Sequence, residues 1–489
     1  MSSKEENQDG ITVKKSEDFS EWFTQVTQKA ELCDMRYNIK GFVVYRPWCV
    51  YAMKRMFNIY EHALEKKGHD PVIMPVLIPE KNFNIEAEHV EGFAPEVFWV
   101  TEHGDGEKFE ERLALRPTSE TAFYQMFSHW IRSYQDLPLK TYQSGSVYRY
   151  ETKATRPFIR SREIIWIEAH DAFATEEEAM NQVLEDMQTT KEVMLDYFGI
   201  PFIFFQRPEW DKFPGAVHTY AADALMPSGR VLQLPSTHLL GQKFSKPFDV
   251  KFVDNSGKEQ YAHITCYGPA ISRIYGGMIG IHGDDRGLVL PFDIAPKHIV
   301  IVPILFDSSR DNVLKRCVSL RKKLKNYRVF IDSNESKSPG WKFNHWELKG
   351  VPIRIEVGPN DIKKNTLVIF RRDKNIKKNI KMSDLLKEVE IIKDEFTQTL
   401  IRKAKSYFDG SIINSKTVDE SKELIKNEKI VRAAFCSIDT DGKACAEVVE
   451  KEVGAAVRGI KVGEEEKPKL PCIICGKSAK HFVYIARSY

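Results

Sequence analysis

Tyr148-Arg149-Tyr150-Glu151, a loop carrying Arg156 and Pro157, and then Phe158-Ile159-Arg160-Ser161-Arg162-Glu163-Ile164-Ile165-Trp166-Ile167-Glu168-Ala169-His170 form one continuous stretch. Two runs rich in β-formers, joined by a loop with a proline, read as an antiparallel hairpin. Side chains alternate along a strand, so Arg149 and Glu151 share one face, and Trp166, Glu168 and His170 share another. A guanidinium on the floor of a sheet can fork onto a phosphate oxygen and a carboxylate together. Phe158 on the loop offers a ring that could stack on a base. The same residues also describe an ordinary Arg-rich hairpin with surface ion pairs, and only the surrounding sequence separates the two readings.

Around the hairpin, from about Glu17 to Asp293, Trp, Phe, Tyr, Arg and His are frequent and Pro and Gly punctuate short runs. Strand patterns cover Val72–Ile78, Thr141–Glu151, Ile164–Ala169, Phe202–Phe205, Val250–Val253 and Leu288–Leu290. Helical patterns cover Val50–Lys67, Ser119–Tyr134 and Glu176–Phe198, the last opening on Thr175 and three glutamates as a cap and the helix dipole prefer. Helices that do not alternate regularly with strands predict an α+β unit on a largely antiparallel sheet. Met53, Met56, Phe57, Tyr60 and Leu64 make a helical stripe, more often core than interface. After Lys297 the order changes to strand, helix, strand, helix, strand (Ile299–Leu305, Asp311–Lys325, Arg328–Asp332, Gly340–Leu348, Ile353–Val357). Thr366–Phe370 and a long polar helix from Ser383 complete a small α/β domain. A third block begins near Ser406. These shifts divide the chain at 1–16, a flexible N-terminal tail, then 17–296, 297–400 and 401–489.

The chain has 489 residues, 42% hydrophobic and 29% charged, which excludes a mainly disordered protein. Its 72 basic residues nearly balance 69 acidic ones, so any nucleic-acid footprint must be local. One such patch is Arg371-Arg372-Asp373-Lys374 with Lys377, Lys378 and Lys381; it reads as a solvated face or as contacts to RNA phosphates. Met1–Gly10 has no apolar core, and Ile299–Phe306 is too short to span a bilayer, so a soluble cytoplasmic protein with no membrane partner is expected.

Four of the eight cysteines, Cys436, Cys445, Cys472 and Cys475, fall in the last 54 residues of the chain. The Cys472-x-x-Cys475 turn lets two thiolates approach one ion, and the wider Cys436/Cys445 pair could close a tetrahedral structural Zn²⁺ site. Free buried cysteines or a site that has lost its metal remain alternatives. No phosphate loop or dinucleotide fingerprint is present. Lys381-Met382-Ser383 is similar to a class I synthetase signature, but its His-rich partner motif is missing, so it reads as a basic loop entering a helix.

Three further segments could carry chemistry. Arg116-Pro117-Thr118-Ser119-Glu120 places a hydroxyl and a carboxylate at a helix start, a cradle for an ammonium group or a plain cap. Gln233-Leu234-Pro235-Ser236-Thr237-His238 reads as a polar turn between strand and helix that could face a ligand. Gly268-Pro269-Ala270-Ile271-Ser272-Arg273 puts an arginine near the start of a Gly-containing helix.

Taken in this order, the segments resemble class II aminoacyl-tRNA synthetases, specifically the prolyl-tRNA synthetase family of archaeal and eukaryotic type. Pro75 and the helix before it look like motif 1, Arg149–His170 like motif 2, and Gly268–Arg273 with His282-Gly283-Asp284 and Leu288–Pro291 like motif 3. Arg116–Thr121 matches the family's Arg-Pro-Thr-Ser-Glu-Thr loop. Trp341-Lys342-Phe343, Trp346–Pro352 and the final Ala486-Arg487-Ser488-Tyr489 match its later parts. Thr265–Ile271 and Leu234-Pro235-Ser236 depart from the family's usual runs.

The resemblance implies an α+β class II catalytic domain built on an antiparallel sheet, an α/β anticodon-binding domain and a small C-terminal α/β zinc-binding domain. It implies two-step charging of tRNA(Pro) with L-proline and ATP, Mg²⁺ accompanying ATP, and a homodimer paired through motif 1. Arg149 and Arg273 would be catalytic. Arg149, Glu151, Phe158, Arg160, Gln233, Ser236 and Arg273 would face ATP. Phe93, Thr118, Glu120, Arg149, Trp166, His170, His238 and Gly268 would hold proline. Glu347, Lys349, Arg354 and Glu356 would read the anticodon, Cys436, Cys445, Cys472 and Cys475 would hold the metal, and Tyr489 would fold back toward the active site. Only about ninety residues separate motifs 2 and 3, so no editing insertion is expected in cis. A non-catalytic synthetase-like RNA-binding paralogue and a threonyl-type class II enzyme are the competing readings.

Overall fold

In the computed structural model, residues 10–83, 96–150 and 154–489 are described. The hairpin forms as the alternation requires. Strands β1 (Asp70–Pro71), β2 (Leu139–Tyr148), β3 (Glu163–Phe173), β4 (Ile203–Gln206), β5 (His218–Leu225), β6 (Arg230–Gly241) and β7 (His263–Gly268) build the catalytic sheet. β2 and β3 pair antiparallel from Leu139↔Ala172 to Tyr148↔Glu163. β1 runs parallel to β2, whereas β4, β5, β6, β7 and β3 pair antiparallel with their neighbours.

Helices α1 (Phe19–Lys29), α2 (Pro47–Glu65), α3 (Glu120–Trp130), α4 (Glu176–Lys191) and α5 (Ile271–His282) cover this sheet. Thr175 and Glu178 close a capping box on α4, and the helix continues as a π-turn through Tyr197. The α2 stripe lies in the chain's own core: Met53, Met56, Tyr60 and Leu64 are buried and Phe57 packs at their edge.

Three local expectations are corrected. Val72–Ile78 is not one strand. β1 ends at Pro71, and Leu77–Pro79 pairs separately with Lys108–Leu115. Pro71 and Pro75 lack ladder donors, which confines pairing here to an edge and breaks the run. Leu288–Leu290 is buried without joining a sheet; its Leu288 N–H donates to the Leu348 carbonyl at 3.0 Å. Leu234–His238 is not a turn but the middle of the 12-residue strand β6. Its register against β5 jumps from Asp223↔Gln233 to Ala221↔Ser236, so Leu234 and Pro235 form a bulge where a missing N–H costs no ladder bond.

The second unit holds β8 (Ile299–Pro303), β9 (Val329–Ile331), β10 (Ile353–Val357), β11 (Thr366–Arg371) and β12 (Ile376–Lys381), with α6 (Arg310–Lys323), α7 (Pro339–Leu348) and α8 (Leu385–Asp409). Its five-stranded sheet runs β9-β8-β10-β11-β12, parallel on one side and antiparallel on the other.

The last block adds β13 (Ile412–Ser415), β14 (Ile430–Phe435), β15 (Ala456–Lys461) and β16 (His481–Ser488). These strands extend the catalytic sheet to 11 strands in the order β13-β14-β16-β15-β4-β5-β6-β7-β3-β2-β1. Of the stretch expected to be a flexible tail, residues 1–9 lie outside the described residues. Thr12 is hydrogen-bonded to Gln25, and Lys15 donates to the Gly283 carbonyl at 2.6 Å.

Candidate active site and its satellites

A cavity of about 410 Å³ opens over β3, β5, β6 and β7. It brings together Thr118, Glu120, Arg149, Trp166, His170, Gln233, Ser236, His238 and Gly268 from five separate segments of the sequence. It also gathers residues the sequence reading did not assign to the site: Glu168, Arg207, Lys212, Phe213, Thr219 and Cys266. Glu168 was legible, since strand parity places it beside Trp166 and His170. Arg207 had no local signal, being a single arginine between a strand and Pro208.

Glu168 anchors the floor. It accepts from the Ser119 N–H and hydroxyl and from Gln143 Nε2, and lies 3.3 Å from His170 Nε2. Burial pushes its carboxyl up, but bonds from His170, Ser119 and Gln143 win and hold it below its ordinary value. Burial likewise opposes charge on His170, yet Glu168 and Glu120 raise it above the usual imidazole range. Its Nδ1 meets the Tyr124 hydroxyl at 3.1 Å, and its ring stacks on Phe123.

Above this floor stand groups without protein partners. Glu120, in the first turn of α3, is 4% exposed, and its Oε2 makes no hydrogen bond. The Trp166 Nε1 is also buried and unpaired. Native proteins satisfy nearly all buried polar groups, so an orphan acceptor and an orphan donor lining one cavity mark a place for a polar ligand. Arg149 is held there by its Nε–H bond to the Pro117 carbonyl at 3.0 Å, its guanidinium 5.5 Å from the Trp166 ring.

On the opposite wall His238 lies between Thr219 Oγ1 at 2.9 Å and Ser236 Oγ at 3.1 Å, against the Phe213 ring. Burial, then Arg207, His170 and Arg149, push its pKa down to about 3, so the ring is neutral at physiological pH. Arg207 donates to Asp223 and to Gln233 Oε1.

Several expected residues lie elsewhere. Phe93 and Glu151 fall outside the described residues. Phe158 offers no face to a base. It is 2% exposed at φ +67°, with its ring 5.4 Å from Tyr45 and 5.7 Å from Tyr275. Gly276 on α5 leaves room for it, since a Cβ there would lie 2.8 Å from the Phe158 Cβ. Arg160 lies with Arg156, Arg230 and Tyr489 around a second cavity of about 720 Å³. Arg273 occupies the first turn of α5, half-buried and outside the lining of the 410 Å³ cavity. Tyr489 does return to the catalytic unit: its N–H meets the Val231 carbonyl at 3.2 Å and its hydroxyl meets Ser228 at 2.6 Å.

In the second unit, Arg354 is buried between the Phe343 and Phe370 rings and pairs with Glu347 at 2.6 Å and Glu356 at 3.0 Å. Glu347 and Arg354 line a groove of about 760 Å³ with Trp341, Phe343 and Lys377. Lys349 turns away to Glu31 at 2.6 Å. The basic stretch is largely spent within the protein. Arg372 is fully buried and doubly bonded to Asp284, while Arg371 pairs with Asp373 and Glu395. A contact between these two arginines and RNA phosphates is therefore corrected: the distant Asp284 takes Arg372, and Asp373, two residues on, takes Arg371 together with Glu395.

The four C-terminal cysteines converge. Their sulfurs lie within 4.8 Å of one another, Cys445 included, and none is in a disulfide. Cys436 follows β14, Cys445 lies on the helix Lys443–Val448, and Cys472 and Cys475 flank a turn before β16. An all-thiolate set of four at this spacing fits a closed tetrahedral ion.

Comparison with known proteins agrees in each part. Residues 98–282 match the family "tRNA synthetase class II core domain (G, H, P, S and T)", 298–391 "Anticodon binding domain", and 418–489 "Prolyl-tRNA synthetase, C-terminal". A proline–tRNA ligase of Thermofilum pendens is 51% identical over 487 residues, spanning 99% of this chain and 100% of the relative. One of Pyrococcus horikoshii is 42% identical, over 97% and 98%. Among solved structures, Giardia lamblia prolyl-tRNA synthetase with prolyl-adenylate superposes at a TM-score of 0.94, with 35% identity over 98% of this chain and 100% of that one. Cryptosporidium parvum prolyl-tRNA synthetase with L-proline and AMP gives 0.91, with 35% identity over 100% and 99%.

Proposed function

The chain belongs to the prolyl-tRNA synthetases, class II enzymes of archaeal and eukaryotic type, and we propose that the 410 Å³ cavity is where its amino acid is activated. The reaction runs in two steps. The proline carboxylate attacks the α-phosphorus of ATP and expels pyrophosphate. A ribose hydroxyl at the 3′ end of tRNA then attacks the adenylate carbonyl and releases AMP. Both nucleophiles belong to substrates, so the protein's work is positioning and electrostatics.

The single observation that carries the site assignment is the buried, unpartnered Glu120 Oε2 in the same cavity as Arg149. A substrate that is cationic at its amine and anionic at its carboxylate answers both. Glu120 and Thr118 receive the prolyl ammonium. Trp166, His170 and His238 wall the ring, and Arg149 bridges carboxylate and α-phosphate. A neutral His238 suits this wall, because a second cation there would repel the ammonium. Gln233 and Ser236 face the nucleotide, with Arg160 and Arg273 toward its phosphates, and Mg²⁺ arrives with ATP. The competing non-catalytic reading has nothing to explain Glu120.

Residues 17–296, 297–400 and 401–489 are proposed as catalytic, anticodon-binding and zinc-binding domains, with α8 carrying the chain across residue 400. Glu347, Arg354 and Glu356 with the neighbouring aromatic rings suit unstacked anticodon bases of tRNA(Pro). The four cysteines would hold structural Zn²⁺, whose closed shell stabilises the domain and leaves no position for chemistry. Ile73, 95% exposed, with Val76 and Leu77 beside it, is an apolar edge at motif 1 suited to a second copy of the chain. No helix of the described residues is long and apolar enough to cross a membrane, in keeping with a cytoplasmic enzyme.

ATP–pyrophosphate exchange across single amino acids tests the reading. Exchange should depend on proline. No exchange with proline, or exchange driven by threonine instead, would refute it. Cysteine and alanine should give weak exchange, since a missing methylene or a small change of shape is worth only ~1–3 kcal/mol.

A further inference from the structure

The C-terminal domain does more than abut the catalytic sheet. Strand β15 pairs with β4 through Ile460↔Gln206 and Lys461↔Phe205, and the approach is so close that a Cβ at Gly459 would lie 2.1 Å from the Gln206 carbonyl. The register of β15 against β16 breaks between Val457 and Gly459, so Arg458 is the bulged residue. A bulge re-aims a side chain, and this one sends Arg458 into the catalytic unit.

There Arg458 Nε donates to Asp223 Oδ2 at 2.7 Å. Asp223 Oδ1 accepts from Arg207 Nη2 at 2.6 Å, and Arg207 Nη1 also donates to the Arg458 carbonyl at 2.9 Å. All three residues are nearly inaccessible: Arg207 is 3%, Asp223 1% and Arg458 6% exposed. Arg207 Nη2 then reaches Gln233 Oε1 at 3.1 Å. A guanidinium only donates, so the amide oxygen of Gln233 has to face Arg207. Its NH₂ is thereby turned away from Arg207, and Gln233 lines the active cavity.

We propose that Arg458 is a positioning residue for adenylation: through Asp223 and Arg207 it fixes the Gln233 amide with its donor toward the nucleotide. The inference rests on the assignment of Gln233 to the ATP side of the cavity. It makes the C-terminal domain a component of the nucleotide site rather than an appendage. Asp223 and Arg207 could still pair without Arg458. With Arg458 gone, however, Asp223 Oδ2 keeps only the longer bond from Arg207 Nη1 at 3.2 Å, so the carboxylate and the guanidinium that orients Gln233 can shift together.

The test is a double-mutant cycle in pyrophosphate exchange on the full-length, zinc-loaded chain. Arg458→Gln should raise KM for ATP about fivefold, the worth of one ordinary hydrogen bond, while KM for proline stays near the parent value. Arg458→Lys should recover part of the loss. In a Gln233→Ala background, Arg458→Gln should add no further change. Zinc content and melting temperature of each variant are measured alongside, and if Arg458→Gln does not fold, Arg458→Lys carries the same cycle. An unchanged KM for ATP, effects that multiply in the double variant, or equal rises in both KM values would overturn the proposal. Parent enzyme without proline-dependent exchange would instead sink the functional reading beneath it.

Discussion

Replacing Glu120 by glutamine separates substrate binding from stability, because the two should move differently. The carboxylate is buried in the first turn of α3, and its Oε2 has no partner in the protein. Proline's ammonium would form a charge-assisted hydrogen bond there, worth ~1.5–3 kcal/mol. At ~1.4 kcal/mol per tenfold, Glu120→Gln should raise KM for proline by about 10- to 150-fold. The folded apo protein should hardly suffer. It loses a helix-dipole interaction of ~0.3–1 kcal/mol and the attraction between Glu120 and His170, and is relieved of the desolvation of a buried carboxylate, which opposes both. Pyrophosphate exchange titrated in proline, with thermal melting in the absence of ligand, reads both quantities. A KM for proline within about twofold of the parent would falsify the assignment of Glu120 to the ammonium. A large loss of melting temperature would show that its role is structural.

Arg149→Ala should cut the maximal exchange rate by ~10²–10³ with little change in melting temperature, since the lost donor would face developing charge at the α-phosphate; a rate near that of the parent refutes the role. Elemental analysis should find about one zinc per chain, and Cys472→Ser with Cys475→Ser should lose it and lower the melting temperature. An unchanged melt of zinc-free protein in strong chelator contradicts that expectation. Asp186 is buried against Thr237, Gln182 and the neighbouring Asp171; burial, then Asp171, raises its pKa from 3.8 to about 7. A folded pKa above the unfolded one stabilises fully below about pH 4, and that contribution fades as pH climbs toward 7, at up to ~1.4 kcal/mol per pH unit. Asp186→Asn should therefore gain on the parent in melting temperature between pH 5 and pH 8; a gap independent of pH would refute a protonated Asp186.

Much of the site was legible because its grammar is local. Strand parity alone put Trp166, Glu168 and His170 on one face, and the structure places all three in one cavity. The Thr175 cap and acidic turn set the start of α4, and Cys-x-x-Cys pointed to the cluster that Cys445 completes. What failed depended on partners distant in sequence. Arg372 looks like part of a basic surface until Asp284, 88 residues away, takes its guanidinium. Phe158 looks like a ring on an exposed loop until Tyr45 and the bare backbone of Gly276 make a place for it in the core. Pro235 argued for a turn, and only the bulge opposite Ala222 lets it sit inside a strand.

The same limit explains why the joining of the domains was invisible. A six-residue strand such as β15 announces that it will pair, but nothing in its pattern names β4 as the partner. The seams are instead written in charged residues that look like surface: Arg458 on Asp223, Arg372 on Asp284, Arg286 on Glu347 and Lys349 on Glu31. Arg458 and Arg372 are buried, and pairs of that kind add little net stability, because desolvation consumes most of the Coulomb gain. They do penalise every misaligned docking, since a shifted interface leaves a charge buried and alone. Three of the four seams use arginine, whose fork can hold a carboxylate in a fixed orientation where an ammonium cannot. The groove lined by Glu347 and Arg354 reaches the catalytic unit through Arg286, which stands four residues beyond the C-terminus of α5, the helix that carries Arg273 in its first turn.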